Sequence, residues 1–188
     1  MKNLYYLLAI VICIAGCQVS SKPFVDTRKP EQVKFLKVID SVNSGYILEE
    51  NKIKKAELAD SGRKSISEFV KKNLNLSAKN WEALLFETEV NEWPVKYIEV
   101  TLLLPKTEYL DEHPQLSSIV LTSRVFFDNT KIKNMLKNVS AKDTVLVSGK
   151  FITDQENMVD FAGYQLDDPY DFSNAKFKFE IEDIRKKK

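Results

Sequence analysis

Near residue 80 the spacing of apolar side chains changes from about 3.6 residues to two, which splits the chain into a helical part and a sheet part. Upstream, Phe35, Val38, Ile39 and Val42 share one face of a helix that Pro30 opens and Asn43-Ser44-Gly45 is expected to stop. Asn51 offers a cap for a second helix over 52–73, with Leu58, Gly62, Ile66, Phe69 and Val70 as its apolar stripe. Downstream, Leu84, Phe86, Thr88 and Val90 alternate with Leu85, Glu87 and Glu89 in one strand, and Ile98, Val100, Leu102 and Leu104 with Glu99, Thr101 and Leu103 in a second. Ile119, Leu121, Ser123, Val125 and Phe127 form one face of a third. Asp128-Asn129-Thr130 caps a short helix over 131–138 with Ile132, Met135 and Leu136 facing inward. Two more strands follow, one carrying Val145, Val147, Gly149 and Phe151, the other Phe177, Phe179 and Ile181.

Three strands, a helix and two strands is the order of the five-stranded Greek-key OB barrel. The expected fold class is therefore mainly β with α: an OB-like Greek-key barrel over 79–185, preceded by an N-terminal helical segment over 31–78 that packs on it. Gly149 fits a strand that bends at a barrel corner. A β-meander packed on the second helix would give the same periodicity and is the alternative.

The first residues read as a leader. Lys2 precedes a nearly unbroken apolar run from Leu4 to Ala15, about 18 Å long as a helix and too short for a bilayer core of about 30 Å. Ile14-Ala15-Gly16-Cys17 follows directly and resembles the bacterial lipobox. The resemblance implies a signal peptide over 1–16, diacylglycerol on the Cys17 thiol, and a polar, Pro-containing tether over 17–30. An ordinary secretory signal with an incidental Cys17 is the other reading. Losing Cys13 with the leader leaves Cys17 as the single cysteine, so no disulfide forms within the mature chain. Gln18 after the lipidated cysteine, where an Asp favours inner-membrane retention, implies the outer membrane in a Gram-negative cell. The expected place is the extracytoplasmic side of the cell envelope, the membrane being the first partner through palmitate or a similar acyl chain.

Little in the chain supplies chemistry. His113 is the one histidine, set in a polar loop between Glu112 and Pro114 without the partners that general-base or zinc chemistry requires. Gly-rich phosphate loops and nucleophile elbows are absent from the sequence. Residues 153–175 hold Asp154, Glu156, Asp160, Asp167, Asp168 and Asp171, an oxygen-rich loop that reads as solvated, with calcium binding as the alternative. No cofactor is expected, and a hydrolase using paired carboxylates is the least favoured function.

Charge weighs against nucleic acid. Residues 81–188 carry 14 basic and 19 acidic side chains, and phosphate recognition needs cations. Residues 51–80 carry eight basic against three acidic, an excess that reads as complementing the barrel. The terminal Arg185-Lys186-Lys187-Lys188 reads as a solvated tail.

Asn51-Lys52-Ile53-Lys54-Lys55-Ala56-Glu57-Leu58, Asn80-Trp81 and Asp143-Thr144-Val145-Leu146-Val147-Ser148-Gly149-Lys150-Phe151 resemble a family of uncharacterised bacterial OB-fold lipoproteins related in shape to the tRNA-anticodon-binding barrel. The likeness spans about residues 50–184 and implies a fold without a settled activity. On an OB barrel the ligand face lies on strands two and three, which singles out Lys96, Tyr97, Glu99 and Arg124. The aromatic loop around Tyr164 and Tyr170 adds a possible contact surface. The expected function is a non-catalytic binding module for an envelope protein or glycan; an OB-fold binder of nucleic acid or oligosaccharide is the alternative.

Overall fold

The computed structural model describes residues 26–105, 118–160 and 175–188. Two helices, α1 (Pro30–Leu48) and α2 (Lys52–Leu74), precede β1 (Ser77–Asn91), β2 (Tyr97–Pro105), β3 (Ser118–Phe126), α3 (Thr130–Leu136), β4 (Thr144–Phe151) and β5 (Lys176–Lys186). The strands close a barrel in the order β1-β2-β3-β5-β4, all neighbours antiparallel except β3 and β5. This is the OB-like architecture, with the helical segment ahead of it, and the meander alternative is set aside.

Each end of the barrel is stopped by a helix. At one end α1 drives Phe35 among Trp81, Phe151 and Phe177, with ring centroids 5.2, 5.4 and 5.5 Å away. At the other, Asn129 caps α3 by accepting the Ile132 N–H at 3.2 Å, and Ile132 and Leu136 are buried. Between the plugs lie Val100, Leu102, Leu104, Ile119, Leu121, Val145, Val147, Phe179 and Ile181, the inward sets that alternation predicts for β2 to β5.

β1 departs from its predicted phase. Trp81, Ala83 and Leu85 point inward, while Leu84 and Phe86 are half-buried and Thr88 and Val90 exposed. The strand starts at Ser77, ahead of the expected position, and carries two register shifts, one between Ala78 and Trp81 and one between Leu85 and Glu87. A shift of one residue exchanges the two faces of a strand. The bends let β1 pair β4 along its first half and β2 along its second.

The helices differ from expectation in two places. α1 runs through Asn43-Ser44-Gly45 to Leu48, because Gly45 faces open space and the next residue, Tyr46, is buried with the Lys55 amine 4.3 Å above its ring. In α2 the buried stripe is Ala59, Gly62, Ile66, Ser67, Val70 and Leu74, one step round from Leu58, which is 40% exposed. The Asn51 cap forms as predicted, its carboxamide oxygen accepting from Ile53 and Lys54 N–H at 3.0 and 3.2 Å.

Buried polar side chains tie the helices to the sheet. Gln32, fully buried, donates Nε2 to the Glu82 carbonyl at 2.6 Å and accepts the Glu82 N–H at 2.9 Å. β2 ends at Pro105, so this amide takes the place of the strand residue that β1 would otherwise lack there. The Ser67 hydroxyl accepts the Val159 N–H at 3.0 Å, joining α2 to the turn after β4.

The chain before α1 is pinned to the same barrel end. Arg28 donates Nη1 to the Pro105 carbonyl at 2.6 Å and holds Asp26 through Nη2 at 2.7 Å. Thr27 donates to the Glu82 carboxylate at 3.0 Å, and Lys187 binds both at 3.0 and 2.6 Å. Three of the four C-terminal cations are therefore engaged, though Arg185 and Lys186 stay largely exposed: Lys186 pairs with Asp143 at 2.7 Å, and Arg185 reaches Asp183 at 2.8 Å and Asn80 at 2.7 Å.

Candidate functional site

β3 and β5 begin as neighbours and then part. Their parallel register covers Val120–Lys176, Leu121–Phe177 and Thr122–Lys178, and ends there. The Val120 N–H goes to the Ala175 carbonyl at 3.0 Å, so the even-numbered residues of β3 turn their backbone groups toward β5. One rung further the Ile181 N–H finds the Ser123 hydroxyl at 3.3 Å. A side chain has entered the ladder, and the strands splay above it.

The splay opens a cleft of about 530 Å³ on the barrel wall. Its floor is apolar, from Val125, Phe126, Phe179, Ile181 and Ile152, while Glu99, Arg124, Asp128, Lys178 and Glu180 rim it. Phe126 and Ile152 are large apolar residues left 50% and 41% exposed. A volume of this size is in the range of small-ligand sites.

Two of the predicted contact residues, Glu99 and Arg124, are cross-strand partners and line the cleft. Tyr97 supports them from the side: the Arg124 guanidinium lies 5.1 Å from the centre of its ring, and Phe126 meets that ring edge-on at 6.3 Å. Lys96 belongs to the neighbouring β1–β2 connection, paired with Glu92 at 2.7 Å and 4.8 Å from the centre of the Phe127 ring. In that connection Trp93 is 87% exposed, with Val90 and Val95 beside it in sequence, also more than half exposed. Cys17, His113, Tyr164 and Tyr170 lie outside the described residues, as do Asp167, Asp168 and Asp171 of the acidic loop.

The charges of the rim are unequal in their freedom. Lys178 is engaged with Asp160 at 2.6 Å and Arg124 is stacked on Tyr97. Among the described residues no ion pair involves Glu99, Asp128 or Glu180. Arg124 keeps its charge on that ring and Glu180 acts on Lys150, so the rim carries both signs, three acidic side chains to two basic ones.

Of the acidic loop, Asp154 is occupied in its own turn, accepting from Glu156 and Met158 N–H at 3.0 and 2.8 Å. Among the described residues no group of three or more His, Cys, Asp or Glu side chains is arranged to hold a metal ion. The basic excess of α2 is partly spent within the helix, since Lys72 pairs with Glu68 one turn back at 2.9 Å.

Sequence reasoning missed the β5 half of the cleft: Phe179, Glu180 and Ile181. The signal was the strand order itself, because an OB-like closure sets β5 beside β3. Comparison with protein-family models, with curated proteins and with solved structures finds no match to the chain. The likeness to OB-fold lipoproteins therefore carries the barrel and nothing finer.

Proposed function

We propose that this protein is a non-catalytic, lipid-anchored binding module of the cell envelope that recognises a protein or envelope glycan through the β3–β5 cleft. One observation carries the reading: the mixed apolar and charged cleft runs along the barrel wall and reaches, at Phe126 and Asp128, the end opposite to the one where residues 26–29 are fastened. From Pro105, beside Arg28, β2 runs eight residues to Tyr97, about 26 Å at the rise of a strand. A lipid on Cys17 would hold the fastened end toward the bilayer and present the cleft, Tyr97 and Trp93 outward. In a Gram-negative cell, Gln18 favours the outer membrane.

Acylation and recognition are tested separately. Labelled fatty acid is expected to enter the wild-type chain and to be lost, with membrane retention, in Cys17→Ser; unchanged labelling would overturn the anchor. The nucleic-acid alternative is met by titrating labelled single strands across a salt series. Its support would be tight binding with a steep salt slope, which the three acidic side chains of the rim oppose.

A further inference from the structure

We infer that the exposed tip of the α1–α2 hairpin is a second membrane contact, seating Ile47, Leu48 and Ile53 in the interface of the bilayer that holds the lipid. The inference rests on the anchor reading above and names a surface by which the body itself meets that bilayer.

The tip is apolar and uncovered. Ile47, Leu48 and Ile53 are each more than half exposed, and Leu58, further along α2, is partly so. From residue 43 to residue 58 Tyr46 alone is buried, with the Lys55 amine over its ring, so this end of the hairpin packs chiefly on itself. The turn that displays the three side chains is held in place: the Glu49 carboxylate accepts the Asn51 N–H at 2.8 Å, while the Asn51 carboxamide caps α2. Apolar side chains scattered singly over a surface need no account, but a cluster at the point of a projecting hairpin does.

Placement selects the occupant. α1 stops the barrel with Phe35 at the end where residues 26–29 are fastened, so the hairpin belongs to the end that a lipid on Cys17 would hold nearest the bilayer. Cys17 stands nine positions before Asp26, a stretch that reaches at most about 30 Å, and the 19 residues of α1 extend about 28 Å. A tether of that reach lets the body settle with its tip on the surface, at an effective concentration on the order of millimolar, so a modest apolar contact suffices. Charge argues against a protein partner recognised by ion pairs. Lys52 and Lys54 are matched by Glu50 and Glu57, Lys55 lies on the Tyr46 ring, and Glu49 is held in the turn. A bilayer interface accepts such a tip, taking the aliphatic side chains below the headgroups while charges of both signs stay hydrated among them.

The test uses the acylated chain in phosphatidylcholine vesicles, with a polarity-sensitive dye at Leu48→Cys or, as the reference, at Val95→Cys. The dye at 48 is expected to emit further to the blue and to be quenched by nitroxide-labelled lipid, and the dye at 95 to do neither. Adding Ile47→Ser and Ile53→Ser, both at exposed sites, should remove most of the quenching while circular dichroism stays unchanged. Equal quenching at the two positions, none at 48, or quenching that survives the two serines would overturn the contact. Quenching that requires phosphatidylglycerol and vanishes in high salt would overturn the apolar account. Protection of the dye that grows with protein density, without quenching, would assign the tip to a second copy of the chain and overturn the inference. Fatty-acid labelling at Cys17 separates the two levels: a labelled chain with an unquenched tip overturns this contact alone, and an unlabelled chain overturns the anchor and the contact with it.

Discussion

Gly149 is the position where one methyl group matters most. A Cβ there would run into the Glu180 carbonyl and lie 2.6 Å from the Phe179 ring, at a register shift between β4 and β5. The backbone atom belongs to a strand that cannot retreat without opening the barrel. Gly149→Ala is expected to cost roughly 1–3 kcal/mol, as overpacking does, read as a lower urea midpoint with an unchanged slope. Gln32 is the second sensitive residue, for a polar reason. Gln32→Ala leaves the Glu82 N–H and C=O buried without partners, at about 1–3 kcal/mol for each such group. Gln32→Glu is a sharper version: the carboxylate still accepts from the N–H but opposes the carbonyl, so its stability should recover as pH falls and the side chain gains a proton. At this scale the sequence was informative where geometry forces a residue type, as at Gly149. It was silent on Gln32, because nothing in a linear pattern marks a helical glutamine that completes a strand.

Among the elements, α1 and the segment before it do two jobs. Phe35 plugs the barrel, and Phe35→Ala is expected to cost about 3–5 kcal/mol, measured by denaturation of the full chain. Asp26 and Arg28 strap the entry. The Arg28 guanidinium, donating to the Asp26 carboxylate, holds that carboxyl below the ordinary aspartate range. A carboxyl lowered in this way adds stability above its unfolded pKa of about 3.9 and loses it as pH falls through the lower folded value. Asp143, hydrogen-bonded by Lys186 and by the Ser140 N–H, is lowered likewise and acts in the same direction. Acidification from about pH 6 to about pH 2.5 should therefore lower the urea midpoint of the wild type more than that of Asp26→Asn; equal losses would show that the strap carries no titrating stability. The helix and strand order was readable from periodicity and caps because each element repeats its signal over many residues. The phase of β1 was not, since two bulges within one strand exchange its faces and leave alternation intact on either side.

For the molecule as a whole, the barrel places two apolar-rich regions near one end, the cleft with Phe126 and the β1–β2 connection with Trp93. On vesicles bearing the acylated chain, a fluorophore at Val95→Cys should transfer energy to a lipid-phase acceptor less efficiently than one at Lys29→Cys. The reverse order would place the cleft against the bilayer and contradict outward presentation. Half of the candidate site was legible because Glu99 and Arg124 face each other across adjacent strands. The other half depends on closure, a relation between β3 and β5 that no local window contains.

The fastening of residues 26–29 also decides how the molecule carries a pull. Under the proposed anchor, tension entering at residue 26 would pass from Arg28 and Gln32 straight into β1 and the end of β2, strands already stitched to both neighbours, before it could unwind the helical pair. If the proposed anchor is loaded, the frame would take the strain first and the cleft wall at the far rim would keep its shape.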